Sequence, residues 1–506
     1  MKTNKKILII VSVAAVLLVG LMLLLIFMPF GSDNGGATFD EGVKMGVSVD
    51  EKGVHQAVIG TNEKGEIENN SYGTLISYVP MDITKIHIEN KKGTLDIDSY
   101  TPVDENGETQ ATVYTIVGFE NVEQQAGMAD SIANQAASID FSKVMTLEKE
   151  KSKDYGFDDP RSVVTVTYTD DTKAVIYVGD NAPQGAGTYI KFGNGDEVYL
   201  VATDAVAAFD YGLTDLVSLA INDTPTNTSD SQASKIVISG TNFPQTIELV
   251  PNIATKVSAS FTMKKPIEIY ANENETSLIT GAIRGLYANG VKMVNPSDAQ
   301  LSELGLSKPY SKITATYPDA TIELIASKPD GEGNVFVMEV GTPIVYTMAS
   351  ANLPWVTTSY ESLVSEYVLY PKMVALSAVS VNNGKKTYDF KLSSTETVST
   401  DDDGNETTAT TTTVKLNNKE LDLGKFQSFY QNLALVELAD IESESVSGKP
   451  IFSAKYTFSE DNTSETVEYY NTGSNRYVAV VNGKVVGHAH KAGVNKLISE
   501  VEALAK

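Results

Sequence analysis

The residues that could do chemistry in this chain are few. Its four histidines include the pair His488 and His490, which alternation along a strand would place on one sheet face. Zinc needs at least a third protein ligand, and the absence of cysteine leaves the chain without thiolate ligands, disulfides or thiol catalysis. With no neighbouring histidine, this pair reads as a solvated strand end. The carboxylate pairs Asp158-Asp159 and Asp170-Asp171 suggest glycosidase acids, but each stands where a turn is expected and reads as an exposed turn. The run Asp401-Asp402-Asp403-Gly404-Asn405 lacks the alternating ligands and the distal glutamate of a calcium loop. No Gly-x-Ser-x-Gly elbow, phosphate-binding Gly-rich loop or His-Glu-x-x-His occurs. The sequence therefore predicts no catalytic, cofactor-binding or metal-ligating residues and a chain that is not an enzyme. Trp355, the sole tryptophan, follows Pro354 and is expected to be a buried plug.

Charge narrows the partners. Against 65 acidic residues stand 39 lysines and arginines, a formal charge of -26, and no cationic cluster follows the N-terminus. Nucleic acid is excluded as a partner on that basis. Lys2, Lys5 and Lys6 precede an apolar run from Ile7 to Met28, long enough to span a bilayer as a helix. The run exceeds the apolar core of a cleavable signal and ends without a small-x-small site. A single-pass anchor is expected, with a cytoplasmic N-terminus and an extracytoplasmic remainder.

The elements beyond the anchor repeat. Gly156-Phe157-Asp158-Asp159-Pro160 returns as Gly305-Leu306-Ser307-Lys308-Pro309 and, shortened, as Gly448-Lys449-Pro450. After each proline comes one alternating strand: Val164, Val166 and Tyr168; Ile313, Ala315 and Tyr317; Ala454, Tyr456 and Phe458. Two residues further stands an acid, Asp170, Asp319 or Glu460, where a hairpin turn fits. A second marker, Ile86 and Ile88, Ile236 and Ile238, then Val379 and Val381, keeps nearly the same period.

Each copy reads as an opening hairpin, a central helix and an antiparallel meander. Helical stripes are expected at Ile132 and Ala136, at Ile279, Ile283 and Leu286, and at Phe426, Phe429, Tyr430 and Leu433. Asn194-Gly195 and Asn482-Gly483 suit type I′ turns. Leu216-Val217-Ser218 and Leu363-Val364-Ser365 mark the connectors.

The fold class expected is α+β: an N-terminal transmembrane helix followed by three tandem modules of mostly antiparallel sheet with one or two packed helices each. The divisions are a basic end and anchor at 1–31, a stalk at 32–74, and modules at 75–222, 223–368 and 369–506. The Thr-rich stretch 394–413 is read as a hairpin-loop insertion in the third module.

Val79-Pro80-Met81-Asp82-Ile83-Thr84-Lys85-Ile86, Tyr155-Gly156-Phe157 with Pro160, and Tyr189-Ile190-Lys191 ahead of Val198-Tyr199-Leu200-Val201 resemble the bacterial family catalogued as domain of unknown function 4340. The resemblance covers about residues 75–220 well, the second module less and the third least. It implies an anchored extracytoplasmic protein associated with ABC-type permeases of the gliding-motility kind, and it carries over no catalytic residue. The expected function is a non-catalytic accessory or scaffold subunit of an ABC-type transport system. The alternative is an adhesion-like repeat protein of the cell envelope that gains avidity from tandem sites.

Overall fold

The structure is a computed structural model that describes residues 46–58, 72–119, 122–146, 149–400 and 406–506. The expected anchor Ile7 to Met28, most of the stalk and the run Asp401 to Asn405 lie outside the described residues. Among the described residues no helix is long and apolar enough to cross a membrane.

Strands β1 (Gly46–Val49) and β2 (His55–Val58) form a small hairpin. Three nine-stranded antiparallel sheets follow. The first uses β3 (Gly73–Ser77), β4 (Ile83–Asn90), β5 (Gly93–Tyr100), β6 (Val113–Ile116), β7 (Ser138–Thr146), β8 (Ser162–Tyr168), β9 (Lys173–Asn181), β10 (Thr188–Phe192) and β11 (Glu197–Val201). Its spatial order is β3-β7-β11-β10-β9-β8-β4-β5-β6.

The second uses β12 (Lys235–Ser239), β13 (Ile247–Pro251), β14 (Phe261–Lys265), β15 (Ile269–Tyr270), β16 (Gly290–Val294), β17 (Ser311–Thr316), β18 (Thr321–Ala326), β19 (Asn334–Glu339) and β20 (Ile344–Ala349). Its order is β15-β14-β13-β12-β17-β18-β19-β20-β16. The third uses β21 (Leu376–Asn382), β22 (Thr387–Thr400), β23 (Glu406–Leu416), β24 (Lys419–Glu420), β25 (Leu438–Asp440), β26 (Phe452–Phe458), β27 (Ser464–Tyr470), β28 (Arg476–Val481) and β29 (Lys484–His490). Its order is β24-β23-β22-β21-β26-β27-β28-β29-β25. Setting aside the small flanking strands β3, β15 and β24, all three sheets have one topology. A three-strand meander runs to one edge, the fourth strand lies at the opposite edge, and the last four strands fill the space between.

The two sequence markers explain that identity, because they are neighbours in every sheet. Ile86 and Ile88 face Val166 and Val164, Ile236 and Ile238 face Ala315 and Ile313, and Val379 and Val381 face Tyr456 and Ala454. All twelve side chains are buried. Since side chains alternate across a strand, a slip of one residue would turn each set to the opposite face, so burial fixes the register. The marker glycines Gly156, Gly305 and Gly448 all have positive φ, 81°, 75° and 85°, where a side chain would strain the backbone.

A helix links the third strand to the fourth in each module: α1 (Met128–Ala137), α2 (Glu273–Thr280) and α3 (Leu423–Ala434). Phe426, Phe429, Tyr430 and Leu433 are the buried face of α3, and Ile132 and Ala136 are fully buried on α1. The second stripe is only partly helical. Helix α2 stops at Thr280 against Gly281, and Gly285 has φ 67°, so buried Ile283 and Leu286 lie in the descending loop. Two glycines five residues from start to finish weaken the helix enough for the chain to turn.

Two further expectations are corrected. Asn482 and Gly483 have φ of 50° and 79°, as a type I′ turn requires, whereas neither Asn194 nor Gly195 has positive φ; that turn uses Gly193 at 61°. On both sides of residues 401–405 the Thr-rich stretch is strand: 394–400 of β22 and 406–413 of β23 pair as a ribbon, Ser394 opposite Thr412 and Thr400 opposite Glu406. β-Branched threonines favour extended backbone, and the ribbon's ladder satisfies its peptide groups without a core.

A terminal helix, α4 (Lys491–Leu504), follows β29 and buries Val494, Leu497 and Val501. It is joined to α3 by Asn432, whose amide donates to Glu500 at 2.8 Å. Trp355 is fully buried as expected, with its indole N–H donating to the Ala282 carbonyl at 2.8 Å.

The chain divides into two compact units. Of the described residues, one holds those up to 91 with 99–113 and 132–210; the other holds 92–98, 114–131 and 211–506.

Candidate functional site

Three features could serve function: the capped turns, the connectors, and a histidine–carboxylate cluster at the edge of the third sheet.

The acids at the hairpin turns are not idle. Each lies beside an aromatic ring that carries a basic side chain. In the first module, His55 from β2 stacks on Tyr168 at 5.6 Å, and Tyr78 stacks on the same ring at 3.8 Å. Burial pulls the His55 pKa down, and the charge of Asp170 opposes that shift. In the second, the Arg284 guanidinium lies 4.9 Å from the Tyr317 ring and makes two parallel bonds of 2.9 Å to Asp319. In the third, Lys256 lies 5.0 Å from the Phe458 ring and pairs with Asp461. Thr255 donates to Glu460 at 3.4 Å. Such cation–π contacts combine ring quadrupole and carboxylate on one charge. The Asp461 carboxyl is pulled down to about 2, first by its bond from Lys256.

The third cap is supplied by the preceding module, which ties two modules of the second unit together. Beside it the Tyr270 hydroxyl donates to half-buried Glu465 at 2.5 Å. Burial raises the Glu465 carboxyl above its ordinary value despite that bond. Lys484 pairs with Glu268 across the same seam.

The connectors form a repeated ladder inside the second unit. Gln125 N–H donates to Leu216 O at 2.7 Å and Ser218 N–H to Glu123 O at 2.8 Å; Asn272 N–H donates to Leu363 O at 2.8 Å and Ser365 N–H to Tyr270 O at 3.0 Å. Each connector then pairs with the next module. Ile221 N–H donates to Leu286 O and Ala288 N–H to Leu219 O, both at 2.8 Å; Val368 N–H donates to Val436 O at 3.0 Å and Leu438 N–H to Glu366 O at 2.8 Å. What reads in sequence as a boundary is thus a short shared strand between the segments that flank successive helices.

His488 is not solvated. It is buried on β29, while His490 at the strand end is exposed. Its Nδ1 lies 2.5 Å from Asp440 Oδ1 and its Nε2 lies 3.0 Å from Glu444 Oε2. Burial lowers the imidazole pKa, but the bonds to Asp440 and Glu444 outweigh it and raise the group above an ordinary histidine. Arg476 on β28 pairs with Asp440 Oδ2. Gly487 makes this approach possible: with φ 138°, a Cβ there would stand 2.0 Å from the Asp440 carbonyl oxygen. The sequence signal was the alternating Asp440-x-Glu442-x-Glu444, which gains meaning only once β25 pairs with β29. Asp158 and Asp159 are exposed turn acids, Asp159 paired with Lys91, and Asp170 bonds to Thr172 within its turn.

No curated protein matches the chain. Among solved structures, a DNA polymerase sliding clamp from Pseudomonas aeruginosa aligns over 81% of this chain and 93% of its own at 6% identity, but a TM-score of 0.09 carries no structural likeness. A family model described as a domain of unknown function, DUF4340, matches residues 115–251 and 261–460. The match begins beyond Val79 to Ile86 and reaches through the second module to the Glu460 turn of the third, further than the sequence markers alone carried the resemblance. With more than half of its length matched, the chain belongs to the DUF4340 family.

Proposed function

We propose that this protein is a non-catalytic scaffold, anchored in the cell membrane by the Ile7 to Met28 segment, whose modules stand outside the cytoplasm and hold a membrane partner of the ABC-type permease class. The observation that carries the reading is the connector ladder. A chain of independently tumbling domains needs only loose linkers, whereas here each connector spends its backbone hydrogen bonds on two successive modules. Within the second unit the shared strands fix the spacing of surface features, which suits a partner that must be held at defined points. The interiors of the sheets are filled by apolar and tyrosine side chains, and the acidic surface suits an exported protein more than one bound to polyanions.

Solubilisation in mild detergent followed by affinity purification of the full chain tests this. A permease recovered in fixed ratio is the expected result; migration of the chain alone, with retention on purified wall polymer, would favour the envelope-binding alternative.

A further inference from the structure

We propose that His488 is a pH-operated clasp: as an imidazolium it ties the segment between β25 and β26 to β29, and on losing one ring proton it releases the Glu444 end of that segment.

The geometry fixes the charge. A neutral imidazole has one N–H, yet a carboxylate oxygen faces each ring nitrogen, Asp440 Oδ1 at 2.5 Å from Nδ1 and Glu444 Oε2 at 3.0 Å from Nε2. Both contacts are hydrogen bonds once a second proton is present, and the carboxylates are poor places for it. Asp440 already accepts from Arg476 through Oδ2 and from the Glu442 amide through Oδ1 at 3.0 Å, and Glu444 takes a further bond from the Thr472 side chain. Donors of this kind favour the ionised carboxyl, so the proton belongs to the ring.

The charges around the ring agree. β25 brings Asp440, the segment after it brings Glu442 and Glu444, and β28 brings Arg476; a carboxylate oxygen of Glu442 lies within 4.8 Å of the Asp440 and His488 donor atoms. Three negative charges against one guanidinium leave an excess that the imidazolium offsets in part. His490 is exposed at the strand end, and the Lys491 ammonium lies 4.9 Å from the Tyr477 ring.

The two ends of the clasp are unequal. Asp440 stands opposite His488 in the sheet, where Gly487 lets the two backbones approach, whereas Glu444 lies in the stretch 441–450, which has neither helix nor strand. The Glu444 side chain is 39% exposed, against 21% for Asp440. Without its second proton the ring keeps one N–H for the anchored Asp440 and turns a lone pair toward Glu444. Glu444 is then the end that leaves. The sign follows from the raised imidazole: its contribution is complete below the ordinary histidine value of 6.5 and is lost as pH rises through the folded value. Asp440 and Glu444 are both held below the ordinary carboxylate range, so they set the acid limit of the same window, and their contribution is lost as pH falls through their folded values.

The test uses the full chain in detergent with its four histidines labelled with nitrogen-15. In the wild type both ring nitrogens of His488 are expected to carry protons near about pH 6, with a titration midpoint above the ordinary histidine range that falls in Glu444→Gln. Hydrogen exchange at the amides of 442–448, corrected for its intrinsic pH dependence, reads the segment itself. Wild-type protection there is expected to fall about tenfold, between about pH 6 and about pH 9, for each pH unit by which Glu444→Gln lowers the midpoint. The wild-type readings stand without any variant, and Glu444→Gln alters a segment outside the sheet. A single protonated ring nitrogen near about pH 6, or protection of 442–448 that is the same at both pH values, would overturn the proposal.

Discussion

The second and third sheets share a topology and a register, yet their equivalent turns are capped from different places. Arg284, which caps the second, comes from the loop after that module's own helix; Lys256, which caps the third, comes from the module before it. The strand entries differ too. Ser311 at the start of β17 donates to the Trp355 carbonyl at 2.8 Å, repeating the bond of Ser162 to Phe209 in the first sheet, whereas Phe452 fills the corresponding place in the third, where α4 closes the chain. The lesson is that burial dictates the repeated skeleton, while the charged and polar caps are free to be local or borrowed. A borrowed cap converts a turn into a tie between modules.

Breaking the skeleton should cost most. Trp355→Ala removes a fully buried ring and its bond to Ala282, and a loss of about 3 to 5 kcal/mol is expected in denaturant unfolding. Breaking the connectors should cost less, and equally at both. Ser218→Pro and Ser365→Pro each delete one ladder donor, and about 1 to 3 kcal/mol is expected for each, measured the same way. Unequal losses would show that the two connectors are not the same device.

The borrowed cap should appear in the pH dependence. Asp461 is depressed to about 2 in the fold, so its contribution is present above the unfolded value of about 4 and is lost as pH falls through 2. Lys256→Met keeps the apolar stem over Phe458 and removes the charge. Its melting temperature should therefore lose part of the acid-range slope that the wild type shows. Arg284→Met should leave the tie between modules intact. The smallest effect is expected at Glu465, whose carboxyl is raised. Its contribution is present below the ordinary glutamate range and is lost as pH rises through the folded value, so Glu465→Gln should melt slightly higher than wild type near pH 8 and equally near pH 4.

How far the sequence could be read follows from the same division. Val164, Ile313 and Ala454, with their partners on β4, β12 and β21, were legible because alternation and period report burial directly. Gly156, Gly305 and Gly448 were legible because positive φ restricts the residue type. The Thr-rich ribbon was misread because a two-stranded ladder needs β-branched residues and no core, so apolar periodicity is silent there. His488 was misread as solvated because its surroundings depend on β25 reaching the far edge of the sheet, 48 residues earlier in the chain. Lys256 was invisible for a like reason: no local pattern says that a lysine will pair with an acid 205 residues away.

Native-state hydrogen exchange on the full chain tests the central claim most directly, read at the amides of Asn272, Ser365, Val368 and Leu438. If the connector is a shared strand, these amides exchange as slowly as the buried strands β17 and β26 and open together with them. Exchange at the rate of a free linker, while both sheets stay protected, would contradict it.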